Sequence, residues 1–188
     1  MLFHNFLGHL VTVLKHRHKV MEHCFKANIF YRGLIHDLSK FSPREFIPGV
    51  LYYQGSRSPN EQEREKRGYS TAWMHHKGRN RHHFEYWTDY SNITKKIEPV
   101  KVPDNFIFEM FCDRVSASKI YNKEKYRDDL PLNYFRRAKQ RRIIEKETAA
   151  KLEYLLWILA EHGEKAVFRY IRRQVSRNKN GKTSWLRY

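Results

Sequence analysis

The sequence has little cysteine, little glycine and few acidic residues, and each shortage removes a class of protein. Two cysteines, Cys24 and Cys112, stand far apart in the 188-residue chain. They are too few for a disulfide framework or a cysteine-based zinc site, and they predict a reducing compartment. The eight glycines include no phosphate-cradling loop of the P-loop kind. No serine or cysteine stands in a setting that would activate it as a nucleophile. The longest uninterrupted apolar run, residues 154–160, is far short of a membrane span, and the start of the chain has no signal-peptide pattern. These absences predict a soluble, cytoplasmic protein without a membrane partner. Internal repeats and low-complexity blocks are also lacking.

What the chain does have is apolar and basic. An apolar content of 40%, with 12 Phe, 12 Tyr and 4 Trp, predicts a folded domain with a full-sized core. Against 20 Asp and Glu stand 37 Lys and Arg, a net charge of +17. Such a field attracts nucleic acid, nucleotides and phosphorylated metabolites, and does not choose among them. Much of the surplus lies late: residues 133–188 carry 15 Lys or Arg against 5 Glu.

Periodicity predicts helices nearly throughout. In residues 3–25, Phe3, Phe6, Leu7, Leu10, Leu14, Met21 and Phe25 share one face. That assignment puts His18 on the edge of the buried face and leaves His9, His16 and His23 on the polar side. A second helix is expected over 29–40 and a third from Pro43 to about residue 53. Ser42 and Glu45 form its expected capping box. Residues 54–60 read as a loop, 61–68 as an exposed charged segment, and 89–102 as irregular. Later helices are expected from Asp104, from Pro131, over 148–162 up to Gly163, and over 164–176. The end, from about residue 177, reads as a loose tail. The organisation predicted is an all-α domain over 1–130 with a basic helical extension over 131–188 packed on it.

Chemistry concentrates in a few places. His36 and Asp37 adjoin within an apolar helical run, with Lys40 one turn later. A buried carboxylate needs compensation, and a metal ion is a compact form of it; imidazole and carboxylate suit Zn, Fe, Mn or Co. Four histidines, His75, His76, His82 and His83, flank a turn containing Gly78 and Asn80. Neighbours on a helix point about 100° apart, so each pair should send one ring inward. Asp113 shares a core-facing stripe with Phe106, Met110 and Ala117, and Glu109 stands one turn before it, placed to support ligands from behind. The inward candidates are therefore His18, His36, Asp37, one or both rings of each His-His pair, and Asp113.

This pattern resembles the HD superfamily, in which a helix-borne His precedes a His-Asp pair and a distal Asp. More narrowly, the stretch from His18-Lys19 through Arg32 to Pro43 is similar to an uncharacterised HD-like family catalogued as a domain of unknown function. So are Ala72 to His76, Asn80 to His83, Tyr86-Trp87 and Glu109-Met110 before Asp113. Arg114 stands where that family leads one to expect Trp. The resemblance implies an HD-like helical bundle and one or two divalent transition metal ions. His18, His36, Asp37 and Asp113 would hold the first, and His76 and His83, with His75 and His82 as alternatives, the second. Asp37 would bridge, and Lys40 would face a substrate phosphate. Asn80, Glu109, His75 and His82 would support the ligands or meet substrate. The activity implied is metal-dependent hydrolysis of a nucleotide, cyclic nucleotide or other phosphate ester by metal-activated water. Two alternatives stay open: a di-iron oxygenase on the same scaffold, and a nucleic-acid-binding module with a structural metal, acting through the basic C-terminal region.

Overall fold

The computed structural model describes residues 2–180. Eight α-helices carry nearly all of the regular structure: α1 (Leu2–Lys26), α2 (Phe30–Ile35), α3 (Pro43–Leu51), α4 (Pro59–Arg67), α5 (Thr71–Lys77), α6 (Asp104–Asn122), α7 (Leu130–Lys139) and α8 (Lys146–Asn180). The segment expected to be irregular holds a short antiparallel ribbon, β1 (Thr88–Tyr90) with β2 (Ile97–Pro99), in which Asp89 faces Glu98. The chain is thus a mostly all-α bundle with one minor two-stranded sheet and a long C-terminal helix.

Helix α6 is the axis of the apolar half. Every residue from Asn105 to Cys112 is buried, so it has no solvent face over its first two turns. Against it pack Val20, Cys24 and Ala27 at the end of α1, Leu132 and Phe135 of α7, and Leu152, Leu155, Leu156 and Leu159 of α8. The basic extension therefore shares one apolar cluster with the residues before it. Gly163, at φ 73° and ψ 175°, breaks α8 into two segments at the position where the sequence predicts a stop. The second segment buries Val167, Phe168, Ile171 and Val175, and helix continues to Asn180. Residues 177–180, expected to be loose, are therefore helical, and the rest of that tail lies outside the described residues.

Helix α1 departs most from expectation, because its predicted faces are exchanged. The buried stripe is His9, Val13, His16, Val20, His23 and Cys24, whereas Phe3, Phe6, Leu7, Leu14 and Phe25 are exposed. His18 is exposed too, which corrects its assignment to the inner face. The physical reason is that a neutral or partnered imidazole is buried readily when groups on other elements complete its hydrogen bonds. Three histidines spaced seven residues apart face other elements here, and His23 finds a hydrogen-bond partner there. His23 Nδ1 meets Ser116 Oγ at 2.8 Å, His16 Nε2 meets Asp113 at 3.0 Å, and the His9 ring lies against Gly49. At Gly33 a Cβ would stand 2.8 Å from the Met21 Cα, so its absence lets α2 lie directly on α1.

Candidate metal centre

The centre is organised by a chain break where the sequence predicts continuous helix. Helix α2 ends at Ile35; His36 is extended (φ −54°, ψ 129°), and Asp37 takes the left-handed conformation (φ 54°, ψ 26°) before a 3₁₀ turn over Leu38–Phe41. Aspartate tolerates this region better than most residues. Arg17 fixes the break by donating from Nε to the His36 carbonyl at 2.8 Å and from a terminal nitrogen to the Leu34 carbonyl at 2.9 Å. The consequence is geometric: two consecutive side chains that a helix would splay apart are both turned inward, each 1% exposed, with His36 Nε2 3.4 Å from Asp37 Oδ2.

Two groups of donors meet at Asp37. In one, His16, His36 and Asp113 lie together. His16 Nε2 is 3.0 Å from Asp113 Oδ1 and 3.8 Å from Asp37 Oδ2, and His36 Nε2 is 3.4 Å from Asp37 Oδ2. In the other, Asp37 joins His76, His82 and His83. The Nε2 atoms of His76 and His82 each lie 3.3 Å from Asp37 Oδ1, and those of His76 and His83 are 2.9 Å apart. One carboxylate therefore faces the first group with Oδ2 and the second with Oδ1.

Behind these rings stand two glutamates. Glu109 Oε1 accepts from His36 Nδ1 at 3.0 Å and lies 3.2 Å from His82 Nδ1. Glu45 accepts from His75 Nδ1 at 2.6 Å and from His76 Nδ1 at 2.7 Å, so the expected capping box with Ser42 does not form. A carboxylate on Nδ1 fixes the tautomer and aims the Nε2 lone pair at the cavity, the usual arrangement of a ligating histidine. Asn80 donates to the His76 carbonyl and to Ser39 Oγ, both at 2.8 Å, and holds the turn between the histidine pairs.

The electrostatics ask for added positive charge. Asp37, Glu45, Glu109 and Asp113 converge in this one region, and apart from histidines the cations within ion-pair reach of them among the described residues are the Lys40 ammonium, 2.9 Å from Asp37, and the more distant Arg32, 3.9 Å from Glu109. Burial alone would raise the Asp37 carboxyl, but His36 and Lys40 hold it well below the usual range. Burial likewise opposes ionisation of Glu109, and hydrogen bonds from His36 and His82 bring it down to about 2. Burial opposes charge on His36 too, but Asp37 and Glu109 push it well above 6.5. Partial burial, with His82 and His76 beside it, pushes the half-buried His83 well below. Around these groups, Nε2 of His16, His36 and His82 and Asp37 Oδ1 are buried without a hydrogen-bond partner among the described residues. Buried orphan nitrogens and oxygens converging on shared points are what metal ions satisfy, so the residues fit a divalent cation.

Of the residues singled out in the sequence, His36, Asp37, His76, His82, His83 and Asp113 are brought together, with Lys40, Asn80 and Glu109 adjoining them. His18 is not, and His16, two residues earlier and so on the opposite face of α1, occupies the place given to it. His75 meets Glu45 and lies outside both groups of donors. Three participants escaped the sequence reading. His16 was signalled by its seven-residue spacing from His9 and His23. Glu45 was assigned to a helix cap. Glu63 sits in the segment expected to be exposed, yet it is 1% exposed and accepts from Ser70 Oγ and Thr71 Oγ1 at 2.6 Å, anchoring the start of the helix that carries His76.

The centre opens into two joined hollows. One, of about 200 Å³, is lined by His16, Asp37, Lys40, His76, His83 and Asp113. The other, of about 440 Å³, starts from the same His83 and Asp113 and runs along α6 to α7. Helices of the described residues are nowhere long and apolar enough to cross a membrane.

Compared with known proteins, residues 5–158 match the model of a family described as a family of unknown function (DUF5662). No curated protein matches. No solved structure matches.

Proposed function

The chain belongs to that family of unknown function, which assigns it no reaction, and we propose that it is a two-metal phosphohydrolase of HD type acting on a nucleotide or another phosphate ester. The observation that carries this reading is the division of Asp37, whose two oxygens face two separate groups of donors. His16, His36 and Asp113 would hold one ion, His76, His82 and His83 the other, and Asp37 would touch both. When bound, such ions lower the pKa of water toward neutrality and polarise a phosphoryl oxygen.

The chain's own residues supply the rest. Glu109 and Glu45 keep the imidazoles in the ligating tautomer. Lys40 lines the hollow and stays charged, because Asp37 beside it more than offsets the effect of burial. Its ammonium can neutralise a phosphate oxygen as negative charge develops. Trp73 and His83, ring against ring, form part of the hollow's wall. The protein's basic surface attracts an anionic substrate toward this opening.

The test is elemental analysis of the purified chain, together with hydrolysis of chromogenic phosphomono- and phosphodiesters. About two equivalents of Mn, Zn, Co or Fe, with turnover lost in His36→Ala, is the expected result. No bound metal after reconstitution would overturn it. Iron with near-ultraviolet absorption and no ester hydrolysis would transfer the assignment to oxygen chemistry.

A further inference from the structure

The larger hollow beside the metal centre is basic in a way the surface charge does not explain. Arg114 of α6, Arg137 of α7 and Arg142 just beyond it line its far end. Among the described residues, no carboxylate lies within ion-pair distance, 4.0 Å, of any of the three. Elsewhere the basic residues find acids: Arg136 and Lys139, on the same helix, both hold Glu153, and Arg57 at the near end of the hollow holds Glu65. Glu61 is the lining acid besides Asp113, and it belongs to the Arg57 end.

Two of the three unpaired guanidinium groups, those of Arg114 and Arg142, rest on aromatic rings instead. Arg114 lies 5.7 Å from the centre of Phe84 and 5.6 Å from Phe135; Arg142 lies 5.2 Å from Phe84 and 5.9 Å from Tyr134. Two cations thus share one ring, and Arg114 Nε is buried with no hydrogen-bond partner among the described residues. Stacking uses the faces of the guanidinium groups and leaves their N–H edges free. Like charges held close in a partly buried site repel, and an anion entering between them relieves both the repulsion and the orphaned donor.

We infer that the substrate carries a second anionic group of phosphate size, which Arg114, Arg137 and Arg142 bind while the first occupies the metal centre. This rests on the hydrolase reading above. Both ends lie in one hollow of about 440 Å³, which is the size of a small-molecule site and suits a compact bis-anionic metabolite better than a polymer strand. Asp113, a candidate ligand, and Arg114, next to it in the chain, both line this hollow.

Non-hydrolysable α,ω-alkane bisphosphonates of graded length, titrated by calorimetry into the Mn²⁺-loaded full chain beside methylphosphonate, test this. One length should bind at least about tenfold more tightly than methylphosphonate, the gain expected of one or two charge-assisted hydrogen bonds. Arg142→Gln and Arg137→Gln, checked for folding by thermal melting, should remove that gain and leave methylphosphonate binding within about twofold. No advantage at any length, or an advantage that survives both substitutions, overturns the inference while the hydrolase reading stands. Arginine-dependent bisphosphonate binding without methylphosphonate binding keeps the anion cleft and overturns the hydrolase reading. A 5′-phosphorylated oligonucleotide that outbinds the best bisphosphonate through Arg142 overturns the small-molecule assignment.

Discussion

The half of the molecule built on α6, α7 and α8 and the half built on α1 to α5 are held by different chemistry. In the first, Phe111, Phe135, Leu152, Leu156 and Ile171 form one apolar cluster, and polar groups such as Glu109 and Ser116 are buried along the face of α6 turned to the other half. In the second, the most buried side chains include His36, Asp37, Glu63 and His82, arranged so that each needs the next. Apolar packing is tolerant, since its energy is spread over many contacts. A buried polar network is not, because removing one member leaves its partners unsatisfied. The two halves should therefore respond differently to substitution, to chelation and to acid.

The sharpest way to break the polar half is Asp37→Ala. It removes the acceptor shared by both donor groups and leaves His76, His82 and Lys40 without their partner, so we expect loss of all bound metal and a destabilisation of about 3–5 kcal/mol, read by elemental analysis and denaturant unfolding. In the apolar half, Leu156→Ala should cost about 2–5 kcal/mol through the cavity it leaves, while metal content stays at the wild-type value. Loss of metal from the Leu156 variant would show that the halves are one cooperative network.

A pH titration sharpens the comparison at the seam. His23 is wholly buried between α1, α6 and α8, and burial, reinforced by Lys119 and Lys26 against the opposing pull of Glu164, lowers its pKa to about 4. The unfolded chain binds that proton from about pH 6.5 downward, so stability is fully present above 6.5 and falls as pH drops toward 4. Chemical unfolding should show a loss on the order of 2 kcal/mol across that window, and His23→Gln, which can keep the bond to Ser116, should flatten it. A profile unchanged by the substitution would assign the acid sensitivity to the metal centre instead. The smallest effects compare two neighbours on α1: His16→Ala should lose metal, whereas His18→Ala should leave metal content and melting temperature unchanged within error. Their reversal would restore the face assignment made from apolar periodicity.

The apolar half was the legible one. The leucine seam of α8 and the stop at Gly163 appear where period and punctuation place them, because there hydrophobicity and burial coincide, whereas the stripe expected over 106–117 widens to every residue from Asn105 to Cys112. In α1 they are opposed: an apolar stripe faces solvent and three imidazoles face the core, so a method that equates inward with apolar selects the wrong histidine. The seven-residue spacing of His9, His16 and His23 carries the information that the apolar residues obscure. At Asp37 no glycine or proline marks the break, since tertiary contacts from Arg17 impose it on a segment that locally favours helix. Glu45 and Glu63 were misread for a related reason. Near a helix start a glutamate looks like a cap or a solvated charge, and only the partner across the fold reveals otherwise.

The left-handed backbone at residue 37 restricts what the genetic alphabet can supply there. Glycine accepts the conformation and brings no oxygen. Asparagine accepts it and brings one oxygen without the charge. Glutamate brings charge and both oxygens, but on a longer arm and on a backbone that favours the right-handed region. Position 37 is thus a one-letter word, spelled by the fold and by the chemistry at once. Asp37→Asn, which changes the second while sparing the first, is the substitution that tells the two spellings apart.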